Sequence, residues 1–373
     1  MYNRIIQKRL ETHFNKGKAI IILGPRQVGK TTLINSLLKD EKVLFLNGDD
    51  PSVRNILNGV NTEQLKDLIG KNEFVFVDEA QIIPNIGLTL KLITDQIKQV
   101  QLIVSGSSSL QLGNLLNESL TGRKREFKLY PISWSEYEEK HGVLKATQLL
   151  NNRLVYGFYP EVLNAEGEED AKDALQELAS SYLFKDILAL SNIRKPQVLN
   201  KLVRALAFQV GAEVSYNELA QLCDVDKNTV SNYIDLLEQA FVIYRLGSYR
   251  GNLRNEIKTN QKIYFYDNGI RNAIIGNFNP LALRNDIGAL WENFLVMERV
   301  KKQAYTRNFG ANYFWRTKQQ QEVDWVEENN GELIGFQFKW NPKAKVKIPK
   351  KFEETYNTTI TTINRDNFRQ FVQ

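Results

Sequence analysis

Gly24-Pro25-Arg26-Gln27-Val28-Gly29-Lys30-Thr31 fits the pattern G-x-x-x-x-G-K-[ST] at every position. The spacing serves phosphate chemistry. The glycines let the backbone turn until its N–H groups point inward at phosphate oxygens. Lys30 can then reach the β- and γ-phosphates of a nucleoside triphosphate, and the Thr31 hydroxyl can bind Mg²⁺. Thr32 closes the stretch expected to hold the nucleotide. The apolar run Ala19–Leu23 precedes the motif and an amphipathic helical pattern follows it. That is the strand–loop–helix setting the motif requires, and the helix adds its positive N-terminal end. A chance Gly-containing turn lacks this setting.

A second element is Phe74-Val-Phe-Val-Asp78-Glu79, a buried strand with two acids at its carboxyl end. Ligands of open α/β sheets bind at that end of the strands, so both acids are expected to face the phosphate loop. Asp78 is the candidate to hold Mg²⁺, directly or through water, and Glu79 to polarise the attacking water. Asp49 and Asp50 also follow a strand, but fit a loop or a supporting contact better than a metal ligand. A third strand ends in Ser105-Gly106-Ser107-Ser108-Ser109. Ser107 is the favoured residue there for sensing the γ-phosphate or orienting water; an ordinary Ser/Gly turn is the other reading. Phosphoryl transfer also wants a positive charge on the developing anion. Arg26, in the loop, and Arg123, in Leu120-Thr-Gly-Arg123, are the candidates.

The run Ile20 to Leu33, then Phe76-Val-Asp-Glu-Ala-Gln81, Ser105-Gly-Ser-Ser108, and Leu120-Thr-Gly-Arg123 with Tyr130-Pro-Ile-Ser-Trp-Ser-Glu136, resembles the prokaryotic AAA-type ATPases. More narrowly, it resembles those fused to a C-terminal domain of unknown function. The likeness covers most of the chain and is densest in residues 1–140. It implies ATP binding on a five-stranded core. It also implies a transition-state role for Arg123, within one chain or across a homo-oligomer.

In the C-terminal half, Asn217–Leu222 and Lys227–Gln239 with the turn Cys223-Asp-Val-Asp226 resemble a helix-turn-helix. Ser215-Tyr-Asn-Glu218 is a capping box for the first helix. Lys227, Asn228, Ser231 and Asn232 would face solvent, types that contact phosphates or base edges. Arg245, Arg250, Arg254 and Lys258 fall where a wing would lie, with strand-like segments at Phe241–Leu246 and Lys262–Tyr266. Such modules also serve as plain protein contacts. Further on, Glu292, Asp324 and Gln337-Phe-Lys339 resemble the core of the restriction-endonuclease-like nucleases. Gln337 stands where that pattern has a carboxylate, so the domain is expected to keep the shape with little or no cleavage.

The elements that must position these groups follow from the apolar pattern. Short runs at Ala19–Leu23, Val43–Leu46, Phe74–Val77 and Leu102–Val104, with a fifth at Arg125–Tyr130, alternate with helical stretches Thr31–Leu38, Thr62–Ile69 and Leu88–Ile97. This predicts parallel strands buried on both faces. The expected fold class is α/β: an AAA-type P-loop core with a parallel five-stranded sheet, then a helical segment, a winged helix and a small α/β nuclease-like domain. The expected divisions are 1–140 (ATPase), 141–210 (helical linker or lid), 211–280 (winged helix) and 281–373 (nuclease-like).

The chain has 373 residues and a net charge of +6. With 42% hydrophobic residues it is no disordered tail, and no apolar run approaches the ~20 residues of a membrane span. One cysteine, Cys223, and two histidines, His13 and His141, exclude disulfides within the chain and a multi-cysteine metal site. A soluble, cytoplasmic protein is expected. The basic excess lies late: Lys339 to Lys351 holds six lysines and no acid. DNA is therefore a candidate partner through residues 227–262 and 339–351. The reading that follows is Mg²⁺-dependent ATP hydrolysis coupled to a DNA or protein partner, with ATP and Mg²⁺ as cofactors. A nucleotide-controlled binding switch of minimal turnover and an ATP-gated metal-dependent nuclease are the competing readings.

Overall fold

A computed structural model describes residues 1–107, 119–190, 195–249, 261–308 and 310–373, with backbone alone over 181–190. Within these the chain forms two compact units, the first centred on Met1–Pro131 and the second built mainly from residues 132–373.

In the first unit, helix α1 (Ile6–Glu11) leads into strand β1 (Ala19–Leu23) and helix α2 (Lys30–Leu37). Then come β2 (Val43–Asn47), α3 (Pro51–Leu57), α4 (Thr62–Ile69), β3 (Phe74–Asp78), α5 (Ile86–Gln96), β4 (Gln101–Gly106) and β5 (Lys124–Lys128). The strands form one all-parallel sheet in the order β2-β3-β4-β1-β5. β1, β3 and β4 are buried at every residue, as strands covered on both faces must be. The two edge strands depart from that expectation. β2 is only partly covered, with Phe45 exposed, and β5 buries Phe127 alone. Each has a neighbour on one side only.

Local chemistry sets the helix starts. The Asn61 side chain accepts from the Gln64 N–H and the Gln64 side chain returns to the Asn61 N–H, closing a capping box on α4. Asp50 caps α3 by accepting from the Ser52 N–H at 2.8 Å, with Pro51 at the first helical position. Asp50 is therefore a helix cap, in line with its expected loop role.

The second unit begins with helix α6 (Trp134–His141). The first unit closes at Pro131, short of the expected boundary at 140, because α6 packs into the second unit. Its Trp134 N–H donates to Glu298 at 2.6 Å and its indole meets the Phe294 and Phe368 rings. Two longer helices follow, α7 (Glu168–Leu190) and α8 (Pro196–Phe208). Then come strand β6 (Glu213–Val214), helices α9 (Tyr216–Cys223) and α10 (Lys227–Gln239), and strands β7 (Ile243–Ser248) and β8 (Gln261–Phe265). Helix α11 (Ile287–Thr306) leads to β9 (Ala311–Arg316), β10 (Glu322–Asn329), β11 (Glu332–Phe338), α12 (Lys350–Tyr356), β12 (Ile360–Ile363) and α13 (Phe368–Val372).

The seven strands among the described residues of this unit form one mixed sheet, β12-β11-β10-β9-β7-β8-β6. The boundary expected at 280 thus runs through a sheet: β7 and β9 pair in parallel, Gly247 with Tyr313 and Ser248 with Phe314. Residues 211–280 and 281–373 share their backbone hydrogen bonds and so are parts of one structure. The β10–β11 register is fixed by a two-residue Asn330-Gly331 turn with both φ positive. That is the turn whose twist matches a hairpin. It sets Trp325 opposite Phe336 and Asn329 opposite Glu332.

Candidate functional site

The phosphate loop joins β1 to α2. Gly29 has φ +91°, a left-handed conformation that glycine adopts without strain. Gly24 lies so close to the backbone beyond β5 that an added Cβ would meet the Leu129 carbonyl oxygen at 2.0 Å. Arg4, buried, ties the loop from outside: its guanidinium donates to the Val28 carbonyl at 2.8 Å and to the Tyr130 carbonyl at 2.6 Å. Lys30, 5% exposed, turns its ammonium into its own loop and donates to the carbonyls of Gly24 at 2.9 Å and Pro25 at 2.8 Å. Arg26 is half-buried; Gln27 and Thr32 are exposed.

β3 delivers the acids. The Thr31 hydroxyl donates to Asp78 Oδ2 at 2.6 Å, so the two expected metal-binding groups touch across 47 positions of sequence. Asp78 Oδ1 accepts from the Ser105 hydroxyl and from the Glu79 N–H at 3.1 Å. A hydroxyl and a carboxylate at hydrogen-bond distance, beside the amides of a helix N-terminus, are the oxygen donors Mg²⁺ takes. The donor set therefore fits the ion. Glu79 is left-handed at φ +47° and opens a short turn. The Gln81 amide N–H₂ donates to both Glu79 Oε2 and Ser107 Oγ, the latter at 3.0 Å. Ser107 is buried directly after β4. The structure thus brings Lys30, Thr31, Asp78, Glu79 and Ser107 to one end of the sheet. Ser108 and Ser109 lie outside the described residues.

Arg123 is elsewhere. Its carbonyl accepts from the Ala19 N–H at the start of β1, whereas the phosphate loop leaves from Leu23 at the strand's end. Five strand residues at ~3.3 Å each separate the two. The Arg123 guanidinium pairs instead with Asp95 at 2.6 Å. An arginine at the amino end of a parallel sheet cannot reach a phosphate at its carboxyl end. The role within one chain is therefore corrected.

In the second unit, the charges of Glu292 on α11 and Asp324 on β10 both act on a buried lysine of β8. Lys262, 2% exposed, donates to Glu292 at 2.9 Å and pairs with Glu322 at 2.5 Å. Tyr264 donates to the same Glu292 oxygen at 2.7 Å. Asp324 accepts from the Phe338 N–H at 2.7 Å. Burial, then the neighbouring Glu292 charge, push the Asp324 carboxyl up to about 7; Lys262 and Lys339 pull the other way. Burial alone would lower the Lys262 ammonium, but Glu292, Asp324 and Glu322 hold it above its ordinary value. The Gln337 side-chain oxygen is buried without a hydrogen-bond partner.

Of the expected wing cations, only Arg245 lies among the described residues, and it is ion-paired. Arg245 pairs with Asp235 at 2.6 Å and with Glu238. Arg250, Arg254 and Lys258 lie outside the described residues. On α10, Lys227, Asn228 and Asn232 are exposed and Ser231 is half-covered. Lys343, Lys345, Lys347, Lys350 and Lys351 are exposed, and Lys339 half-covered.

Sequence reading passed over Arg4, Gln81, Ser105, Lys262, Tyr264 and Glu322. Gln81 and Ser105 stood inside the quoted motifs, two residues from an assigned one. Lys262 carried a signal too: a single charge directly before the apolar run Ile263-Tyr-Phe265.

Comparison with known proteins agrees with the first unit. Residues 16–138 match the family described as "AAA domain". Residues 147–281 match a "Domain of unknown function (DUF8612)", and 287–368 a "Domain of unknown function (DUF4143)". An uncharacterized protein of Mycobacterium tuberculosis is 28% identical over 338 residues, covering 89% of this chain and 72% of its own length. An uncharacterized protein of Methanocaldococcus jannaschii is 23% identical over 398 residues, covering 98% and 87%. Among solved structures, a Walker-type ATPase of Pyrococcus abyssi superposes with TM-score 0.51 at 16% identity. That match spans 74% of this chain and 96% of the other. The chain carries a P-loop ATPase domain of the AAA type, followed by the two domains of unknown function. No helix among the described residues is long and apolar enough to cross a membrane.

Proposed function

We propose that the chain binds ATP and hydrolyses it with Mg²⁺, and that the second unit passes the nucleotide state to a DNA or protein partner. The observation that carries this is the 2.6 Å Thr31–Asp78 hydrogen bond beside the buried Lys30. It is a ready-made pair of oxygen donors at the mouth of a phosphate loop. When ATP enters, Lys30 exchanges the Gly24 and Pro25 carbonyls for the β- and γ-phosphates. The loop amides and the start of α2 hold the remaining oxygens. Mg²⁺, held at Thr31 and Asp78, would supply charge neutralisation on the β- and γ-oxygens. Glu79 takes the proton of the attacking water, and Ser107 hydrogen-bonds the γ-phosphate or that water. An arginine in trans remains one way to complete the charge.

A second reading, a binding switch of minimal turnover, is favoured by the Gln81 contact. With its carboxylate held by Gln81, Glu79 is a restrained base. Replacing Gln81 by Leu keeps bulk and removes both donors, so basal turnover should rise severalfold. A rate unchanged or lower than the parent's would remove the restraint from the account.

The partner reading rests on the exposed lysines of 343–351 and the polar face of α10. Phosphate contacts release counterions, so such binding must weaken steeply with salt. Phosphate release measured with and without linear, branched and single-stranded DNA tests both halves. Turnover that rises with DNA supports coupling; turnover indifferent to DNA leaves a protein partner as the output.

A further inference from the structure

The phosphate loop is held by a residue that lies ahead of the stretch matching the AAA family, which begins at residue 16. Arg4 precedes α1, where its carbonyl accepts from the Gln7 N–H at 3.0 Å, and Ile6 and Leu10 of that helix are buried. Arg4 is itself buried, and its guanidinium forks. One nitrogen donates to the Val28 carbonyl at 2.8 Å, the other to the Tyr130 carbonyl at 2.6 Å. The later half of the loop is thereby tied to the same backbone run, Leu129–Tyr130, that Gly24 packs against. The Val28 bond also orients the next residue. The 28–29 peptide is trans, and in a trans peptide the C=O and N–H point in opposite directions. A Val28 carbonyl held toward Arg4 therefore turns the Gly29 N–H away from Arg4. Gly29 does not fix this by itself. Its φ of +91° suits glycine, but glycine takes negative φ about as readily. Rotating that peptide by half a turn would carry φ to the negative side and point a carbonyl where the N–H had been.

We propose that Arg4 is a positioning residue for nucleotide binding: by holding the Val28 carbonyl, it keeps the Gly29 N–H turned toward the incoming phosphate oxygens. The inference rests on the nucleotide-site reading and adds to it a residue from outside the motif. The loop cradles phosphate only if its N–H groups converge. A carbonyl turned inward would set partial negative charge against an anion. If that peptide spends most of its time flipped, apparent affinity falls by the competent fraction. Arginine suits the task. Its planar fork serves two carbonyls at once in a fixed geometry, and it keeps its charge at every working pH. Hydrogen bonds from a charged donor are also stronger than neutral ones. Arg4 acts through Gly29, not on phosphate itself.

The sequence offers a site-resolved readout. Val-Gly occurs twice in the chain, at 28–29 and 210–211. Full-length protein labelled with carbonyl-¹³C valine and ¹⁵N glycine therefore shows two carbonyl-filtered amide signals by NMR: Gly29 and, from the second unit, Gly211 as internal control. The variant is Arg4→Met, which keeps a long stem and removes the donors. Without nucleotide, it should shift or double the Gly29 signal and leave Gly211 in place. Mg²⁺–ATP affinity by calorimetry should fall at least tenfold. Phosphate release at saturating ATP should fall less, because bound nucleotide selects the competent loop. A Gly29 signal like the parent's, or an affinity like the parent's, overturns the proposal. A rate loss as large as the affinity loss would place Arg4 in the chemical step and overturns it too. Should Arg4→Met not fold, Arg4→Lys keeps the charge and loses the fork. It should still shift Gly29 and weaken ATP severalfold, and a parent-like value of either overturns the proposal. A parent that binds no ATP would fail the nucleotide reading instead, and the nucleotide-free Gly29 signal would still judge the hold on the peptide.

Discussion

At the scale of single residues, the nucleotide site is a set of groups already paired with one another. Lys30 donates to two loop carbonyls, Thr31 to Asp78, Ser105 to Asp78, and Gln81 to Glu79 and Ser107. A nucleotide therefore replaces hydrogen bonds rather than adding them to bare groups. Its gain must come from the charge-assisted contacts, at about 1.5–3 kcal/mol each. Replacing Lys30 by Ala removes the ammonium, and ATP affinity measured by calorimetry should fall at least tenfold. An unchanged affinity would remove Lys30 from the site. These roles were legible because the motif chemistry is local in sequence. Gln81 was not, because nothing in a lone glutamine says which of two flanking strands its amide will bridge. Arg123 misled for a related reason: a residue's distance from a motif along the chain does not say at which end of a parallel sheet it sits.

At the scale of elements, the phosphate loop depends on close backbone approach. A Cβ at Gly24 would sit 2.0 Å from the Leu129 carbonyl oxygen, and backbone cannot rotate aside as a side chain can. Gly24→Ala should destabilise the first unit by about 1–3 kcal/mol, the usual range for overpacking, and weaken ATP binding with it. Gly288→Ala, where nothing lies within 4 Å, is the control and should melt as the parent does. The five strands of the first sheet were readable as short apolar runs between helical patterns. Which of them are edges was not, since burial of β2 and β5 depends on their place in the order β2-β3-β4-β1-β5. In the second unit the local elements α9, α10 and the β10–β11 hairpin were readable from caps and alternation. Their assembly was not. The parallel pairing of Gly247 with Tyr313 joins stretches far apart in sequence, and no local signal announces it.

At the scale of the whole molecule, the net charge is +6, and part of the basic excess expected in the C-terminal half is paired with acids. Among the described residues of 227–262 and 339–351, Arg245 and Lys262 are held in ion pairs, while Lys227 and the lysines of 343–351 are exposed. One buried group should mark the stability of the second unit. Asp324 titrates near 7, against an ordinary value of 3.8, through burial and the Glu292 charge. A carboxyl raised on folding favours the folded state at low pH, and that favour is lost as pH rises through the folded value. Between pH 5 and 8 the parent should therefore lose melting temperature relative to Asp324→Asn, whose amide can still accept from the Phe338 N–H. Parallel curves would mean that Asp324 does not titrate in this window. The central claim, that this is a working ATPase, rests on Glu79 as the base. The most direct measurement is phosphate release from saturating Mg²⁺–ATP by the parent and by Glu79→Gln, with ATP binding measured on both. The account predicts equal binding and hydrolysis lower by ~10²-fold or more in the variant. Hydrolysis at the parent rate would contradict it.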